Sequence, residues 1–231
     1  MTETSDLEFQ FSVIIPTIWK CTDNLLALSR KLFESDQCGQ LLIIDNQGMD
    51  DAHDTLRDEL RHCGATIVRL PYNVFVNPAW NIGVCLAKYD RYLLLNDDVQ
   101  LYESCLSDLA WVLDTNLEVG LVGFAPECVS DRPVPHEQPA TVESRAVPDL
   151  VTNFGCCMAG RTEHYQTIPR SLKLFSGDNW LFYASRAAGR SNYAITNKRI
   201  QHLLSVSSGA FPERAEADWN EFQRLWRERR S

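Results

Sequence analysis

The sequence predicts an α/β protein, a single domain with a mostly parallel central sheet flanked by helices. Short continuous apolar runs, the mark of strands covered on both faces, alternate with stretches whose apolar residues recur at helical spacing. Two of the runs stop abruptly at polar residues, Leu41-Leu-Ile-Ile at Asp45-Asn46 and Leu93-Leu-Leu at Asn96-Asp97-Asp98. Open α/β sheets bind ligands outside the carboxyl ends of their strands, so these polar steps mark a crevice. With 231 residues, 45% of them hydrophobic, the chain can bury a sizeable core.

Phe9–Pro16, rich in β-branched and aromatic residues, is the first strand, ended by a proline that cannot continue a central ladder. Leu25, Leu26, Leu28, Leu32 and Phe33 then share a helical face, with Thr22 or Asp23 as cap. Leu41–Asn46 is a second strand, Asp50–His62 a charged helix stopped by Gly64, and Ala65–Leu70 a third strand. Asn77 followed by Pro78 predicts a helix start with Asn77 as its cap. Tyr89–Leu101 holds the strand that ends at the carboxylates, Ser104–Asn116 an amphipathic helix and Val119–Ala125 another strand. Pro126–Leu150, proline-rich and aperiodic, reads as a surface loop that orders on ligand binding. Val151–Ala159 has strand composition, Asp178–Tyr183 begins a helix, and Tyr193–Ile195 and Ile200–Val206 are short closing strands. In the tail, Pro212–Arg230, the residues Trp219, Phe222, Leu225 and Trp226 share one face and are followed by Arg227, Arg229 and Arg230. That pattern fits a final helix docked on the body, or one in weak contact with an anionic membrane.

A formal net charge of −9 argues against a broad phosphate-binding surface, although Arg161, Arg170, Lys173, Arg186, Arg190, Lys198 and Arg199 leave room for a local basic groove. The eight cysteines form no CxxC pair and the five histidines do not cluster with them, so buried reduced thiols are expected rather than zinc or a disulfide framework. Met1–Glu8 lacks the apolar core of a signal peptide and no window reaches the length of a membrane span, which makes cytoplasmic residence the expectation.

Six stretches stand in a telling order: Ser12-Val-Ile-Ile-Pro-Thr17, Ile43-Ile-Asp45-Asn46, Asn77-Pro-Ala-Trp-Asn81-Ile-Gly83, Leu93-Leu-Leu-Asn-Asp-Asp-Val99, Gly177-Asp178-Asn-Trp and His202-Leu-Leu-Ser-Val-Ser207. In them the chain resembles the nucleotide-sugar glycosyltransferases of the GT-A (Rossmann-like) fold, in particular the inverting family 2 and its short viral, phage or bacterial forms. The resemblance covers residues 11–208 and implies a nucleotide-sugar half at 1–125, an acceptor and catalytic half at 126–208 and a C-terminal helix within 209–231.

It also implies a site. Asp98 aligns with the last acid of the family's DxD-type motif and is the first ligand for Mn2+ or Mg2+, which neutralises a departing diphosphate. Asn96 stands where that motif has its first acid, and His202 is implied as a further ligand. Asp97 contacts the donor sugar or faces solvent. Pro16, Thr17 and Asp45 flank the base and ribose, and Asn73 and Asn81 are donor-side groups. Asp178 is implied as the base that takes the acceptor's proton. By residue type alone, Asp178 is equally a capping carboxylate, Asp45-Asn46 a turn and His202 a buried histidine. Trp80 and Trp180 offer flat surfaces for sugars, or pack in the core.

The implied function is metal-dependent, inverting transfer of a sugar from a nucleotide-diphosphate sugar to a hydroxyl acceptor: a glycan, a small molecule, a protein or a hydroxylated base in DNA. A non-catalytic binding module is the alternative, against which the joint retention of Asp98, Asp178 and His202 counts. A nucleotidyltransferase would want a glycine-rich loop after the first strand, and Thr17–Thr22 holds no glycine.

Overall fold

The computed structural model describes residues 10–49, 51–203 and 211–230. The chain runs β1 (Phe11–Thr17), α1 (Thr22–Phe33), β2 (Cys38–Asp45), α2 (Asp54–His62), β3 (Thr66–Arg69), α3 (Val76–Cys85), β4 (Arg91–Leu95), β5 (Val99–Gln100), α4 (Cys105–Thr115) and β6 (Val119–Phe124). It continues through β7 (Val129–Ser130), β8 (Ser144–Val147), β9 (Cys157–Arg161), α5 (Gly177–Ala187), β10 (Ser191–Ile195), β11 (Ile200–His202) and α6 (Pro212–Arg230). The main sheet has the order β3-β2-β1-β4-β9-β6-β10-β8, and a small second sheet joins β5, β11 and β7.

Every residue of β1 and of β4 is buried, Ser12, Thr17 and Arg91 included, and the apolar runs Val13–Ile15 and Tyr92–Leu95 suit strands covered on both faces. Leu93, Leu94 and Leu95 are fully enclosed, and each such side chain contributes roughly 1.5–3 kcal/mol of transfer free energy. Pro16 does not end β1. Pairing with β4 stops at Ile14↔Leu94, whereas pairing with β2 continues through Pro16↔Ile44 and Thr17↔Asp45, so the missing N–H of Pro16 falls beyond the β4 ladder.

β3, β2, β1 and β4 are parallel, and β10 is parallel to β6, but β9 lies antiparallel between β4 and β6, and β8 antiparallel to β10 at the edge. The strand expected at Val151–Ala159 is displaced: Asn153 sits at φ 62°, Phe154–Cys156 forms one tight turn, and β9 begins only at Cys157. The expected loop Pro126–Leu150 contains β7 and β8, short edge strands that need no apolar run. Ile200–Val206 is strand only at Ile200–His202, in the second sheet, and its residues from Leu204 onward lie outside the described residues. α1 is entered from Cys21 without a side-chain cap, and Asp51–His53 forms a separate tight turn ahead of α2. α3 starts two residues earlier than its Asn-Pro pair suggests, entered from Phe75, so Asn77 is inside the helix and its amide is free for a tertiary bond. α6 is docked rather than free: Trp226 packs edge-on against Trp180 of α5 at 5.9 Å and Phe222 is buried, leaving Trp219 at the rim. Among the described residues no helix is long and apolar enough to cross a membrane.

Candidate active site

A cavity of about 290 Å³ opens where the carboxyl ends of β1, β2 and β4 face the starts of α3 and α5. Thr17, Asn46 and Asn96–Asp98 line one part of its wall, and Phe75–Asn77, Gly155 and Leu174–Asp178 another, with His202 and Phe211 completing it.

The acidic step is a tight connection between β4 and β5. Asn96 N–H donates to the Cys156 carbonyl (3.0 Å), and Asn24 of α1 donates its amide to the carbonyls of Asp97 and Val99 (2.7 and 3.0 Å). Thr17 at the end of β1 donates its hydroxyl to Asp97 Oδ2 at 2.7 Å. Burial pushes the Asp97 carboxyl up to about 6; the Thr17 hydrogen bond opposes that shift and the neighbouring Asp98 charge adds to it. Asp98 is buried, and the pairing of β11 with β5 brings His202 to it from more than a hundred residues away. His202 Nε2 lies 3.2 Å from Asp98 Oδ1, yet the two are not aligned as a hydrogen bond, and neither Asp98 Oδ1 nor His202 Nδ1 has a hydrogen-bond partner.

No group of three or more His, Cys, Asp and Glu side chains suited to a metal ion occurs among the described residues. What the cavity offers is a two-ligand edge, a carboxylate oxygen and an imidazole nitrogen beside the Asn96 amide. Mg2+ is commonly held by one or two carboxylates with water and substrate phosphates completing its shell. The unpartnered buried Asp98 oxygen fits a divalent ion that arrives with an anionic ligand.

Asp178 stands in the first turn of α5. Ser176 enters the helix at φ 60°, and Gly177 follows because a Cβ there would collide with Asn77 Oδ1. Gly155 makes room from the other side, since a Cβ on it would come within 2.8 Å of Asp178 Cβ. Asp178 Oδ1 accepts a bond from Asn179 N–H (2.9 Å). The residue keeps part of its surface open to the cavity, but protein encloses the rest, and that desolvation raises its pKa above the usual carboxylate value.

No family model matches the sequence, and no curated protein matches it. Solved structures do. TarS from S. aureus in complex with UDP-GlcNAc superposes with a TM-score of 0.57 at 19% identity, over 85% of this chain and 61% of that one. GalNAc-T7 with UDP, GalNAc and Mn2+ superposes with a TM-score of 0.62 at 14% identity, over 84% and 43%. The chain has the GT-A glycosyltransferase fold. A longer TarS structure is matched over 94% of this chain but 38% of its own length, so the chain spans 38–61% of these GT-A structures.

Within the GT-A fold, Pro16, Thr17, Asn73, Asn96, Asp97, Asp98, Asp178 and His202 all line the one cavity. Asp45 and Asn81 do not. Asp45 is fully buried behind the wall: Oδ1 accepts from Trp19 Nε1 (2.8 Å) and Gln47 N–H (3.2 Å), and Oδ2 from Arg57 Nε (2.7 Å). Asn81 ties α3 to the chain ahead of α5, donating to the Ile168 carbonyl and accepting from Ile168 N–H and the Tyr165 hydroxyl. Asn73 accepts Phe75 N–H (2.8 Å), which holds Phe75 at φ 70° on the cavity wall. Trp80 lines the cavity, whereas Trp180 is a packing residue bonded to the Thr167 carbonyl. The sequence does not single out Asn24 or Phe75, whereas the polar step Asp45-Asn46 places Asn46 at the crevice, where it lines the cavity.

Proposed function

We propose that the chain is a metal-assisted, inverting glycosyltransferase of the family 2 kind, moving a sugar from a nucleotide-diphosphate sugar to a hydroxyl acceptor. The observation that carries the proposal is the unpartnered Asp98 Oδ1 facing His202 Nε2 at 3.2 Å in the same cavity as Asp178. Asp98 and His202, with Asn96 beside them, would hold Mn2+ or Mg2+. A bound divalent ion supplies charge neutralisation for the departing diphosphate.

The chain's own groups supply the rest. Pro16 and Thr17 flank the base and ribose of the donor, and Asp97, held by the Thr17 hydroxyl, faces the donor sugar. Asp178 accepts the proton of the acceptor hydroxyl as its oxygen bonds to the anomeric carbon, and the nucleoside diphosphate leaves from the opposite face with the electron pair of the broken C–O bond. A raised pKa suits that role, because a carboxylate short of solvation is a better base than a free one. TarS is described with UDP and UDP-GlcNAc and GalNAc-T7 with UDP, which makes a uridine-diphosphate sugar the first donor to try. A glycan or small molecule is the favoured acceptor; the net charge of −9 weighs against a hydroxylated base in DNA.

Calorimetric titration with a panel of nucleoside diphosphates and their sugars, in Mn2+ and in chelator, tests the reading. One nucleotide should bind with Mn2+ and lose its affinity in chelator. Binding unchanged by chelator would refute the metal's part, and sugar-nucleotide binding without any turnover would favour a non-catalytic module.

A further inference from the structure

The wall that carries Asp178 is held from behind by a residue that does not touch the cavity. Asp218 of α6 is 1% exposed, and its Oδ2 accepts the N–H groups of both Leu174 and Phe175 at 2.8 Å. Its carboxylate has no lysine, arginine or histidine in ion-pair contact among the described residues. Two successive backbone amides converging on one anionic oxygen form a small nest, and the charge strengthens both bonds. From the other side, Asn77 of α3 donates its side-chain amide to the Phe175 carbonyl (3.0 Å) and its N–H to the Lys173 carbonyl (3.0 Å). Residues 173–175 are therefore clamped between α3 and α6, and the next three residues are the strained Ser176, the space-limited Gly177 and Asp178.

α6 is anchored to the helix that begins with this wall. Trp226 meets Trp180 at 5.9 Å and Phe222 meets Tyr183 at 6.1 Å, both partners lying on α5. The aromatic contacts set where α6 lies, and Asp218 converts that position into the path of the Leu174–Ser176 backbone.

We infer that Asp218 is a positioning residue for the transfer, holding the Leu174–Asp178 segment so that the Asp178 carboxylate meets the acceptor oxygen. The inference rests on the transferase reading of the cavity. Donor affinity depends on the Thr17, Asp97 and Asp98 part of the cavity, so loss of the clamp acts on turnover and spares binding.

The test uses the full chain with Mn2+ and UDP-GlcNAc, or whichever panel donor is turned over fastest, with water or acceptor taking the sugar and release of the nucleoside diphosphate as the signal. Asp218→Ala removes the acceptor of both amides, whereas Asp218→Asn keeps a carbonyl oxygen in its place. In Asp218→Ala the amides of Leu174 and Phe175 should lose their hydrogen-exchange protection and kcat should fall by about tenfold to a hundredfold, the cost of a misplaced catalytic group. The donor's Kd should stay within about twofold, since the donor's partners are untouched. Asp218→Asn should restore the protection and most of kcat. A wild-type kcat in Asp218→Ala despite lost protection overturns the positioning role alone. So does a parallel loss of donor binding, kcat and Tm that Asp218→Asn fails to rescue, which is the pattern of a general packing role. A wild-type chain that turns over no donor of the panel contradicts the transferase reading, and the positioning role falls with it.

Discussion

Asp97 shows what the site costs the fold. The carboxyl is buried, its pKa rises from 3.8 to about 6, and its hydrogen bond to Thr17 offsets only part of the lost hydration. The folded chain therefore holds this proton to higher pH than the unfolded chain does, and the group's contribution to stability falls as pH rises from about 4 through 6. Asp97→Asn, measured in chelator, should raise Tm above pH 6 by the equivalent of about 2–3 kcal/mol, and the gain should fade towards pH 4. A Tm shift of the same size at both ends of that range would exclude the ionisation as its source. Asp45 is the opposite case, a buried carboxylate fully partnered by Arg57, Trp19 and Gln47. Arg57→Met removes the close ion pair and leaves Arg69, at 3.9 Å, as the cation beside Asp45; it should destabilise the fold by about 3 kcal/mol in denaturant titration, with Asp45→Asn in the same chain recovering part of the loss.

At the scale of elements, the cavity depends on close approach between α3 and α5. Gly177→Ala drives a methyl group into Asn77 Oδ1, which leaves no room for even an ideally placed Cβ. The substitution should cost about 1–3 kcal/mol and displace Asp178, so turnover should fall more than donor affinity; unchanged turnover would show that the start of α5 tolerates movement. β1, β2 and β4 were legible in the sequence because burial on both faces forces a continuous apolar run, and α6 because Trp219, Phe222 and Trp226 repeat with the helical turn. β9 was not, since Asn153 and the turn at Phe154–Cys156 break an otherwise strand-like stretch, and no local signal marks the strand beyond that turn as antiparallel. β5 and β7, of two residues each, are too short to show periodicity, whereas β11, which falls within the expected strand Ile200–Val206, delivers His202 to Asp98.

Across the whole molecule, residues distant in the chain converge on one cavity at the carboxyl ends of parallel strands, as a ligand crevice in an open sheet should lie. The polar step after β4 made Asn96, Asp97 and Asp98 readable as one edge of the crevice, and Thr17 was placed beside them through the resemblance. Asp45 carried the same strand-end signal and Asn81, inside α3, was implied by the resemblance, but both are spent inside the protein, Asp45 on Arg57 and Asn81 on the chain at Ile168, and only the packing reveals that. A ligand that binds the folded chain alone stabilises it by mass action. UDP with Mn2+ at a hundred times its Kd should therefore add about 2.7 kcal/mol to the unfolding free energy. The increment should vanish in Asp98→Ala and in chelator; an undiminished increment in Asp98→Ala would place the nucleotide elsewhere.

The central claim is a division of labour inside one cavity, with Asp98 and His202 serving donor binding and Asp178 serving the transfer. The measurement that tests it most directly is a paired assay of Mn2+-dependent donor binding and nucleoside diphosphate release on the wild-type chain, Asp98→Ala and Asp178→Asn. Asp98→Ala should lose both binding and release, whereas Asp178→Asn should bind within about threefold of wild type and release at least about a hundredfold more slowly. Equal loss of donor binding in the two variants, or full activity in Asp178→Asn, would contradict it.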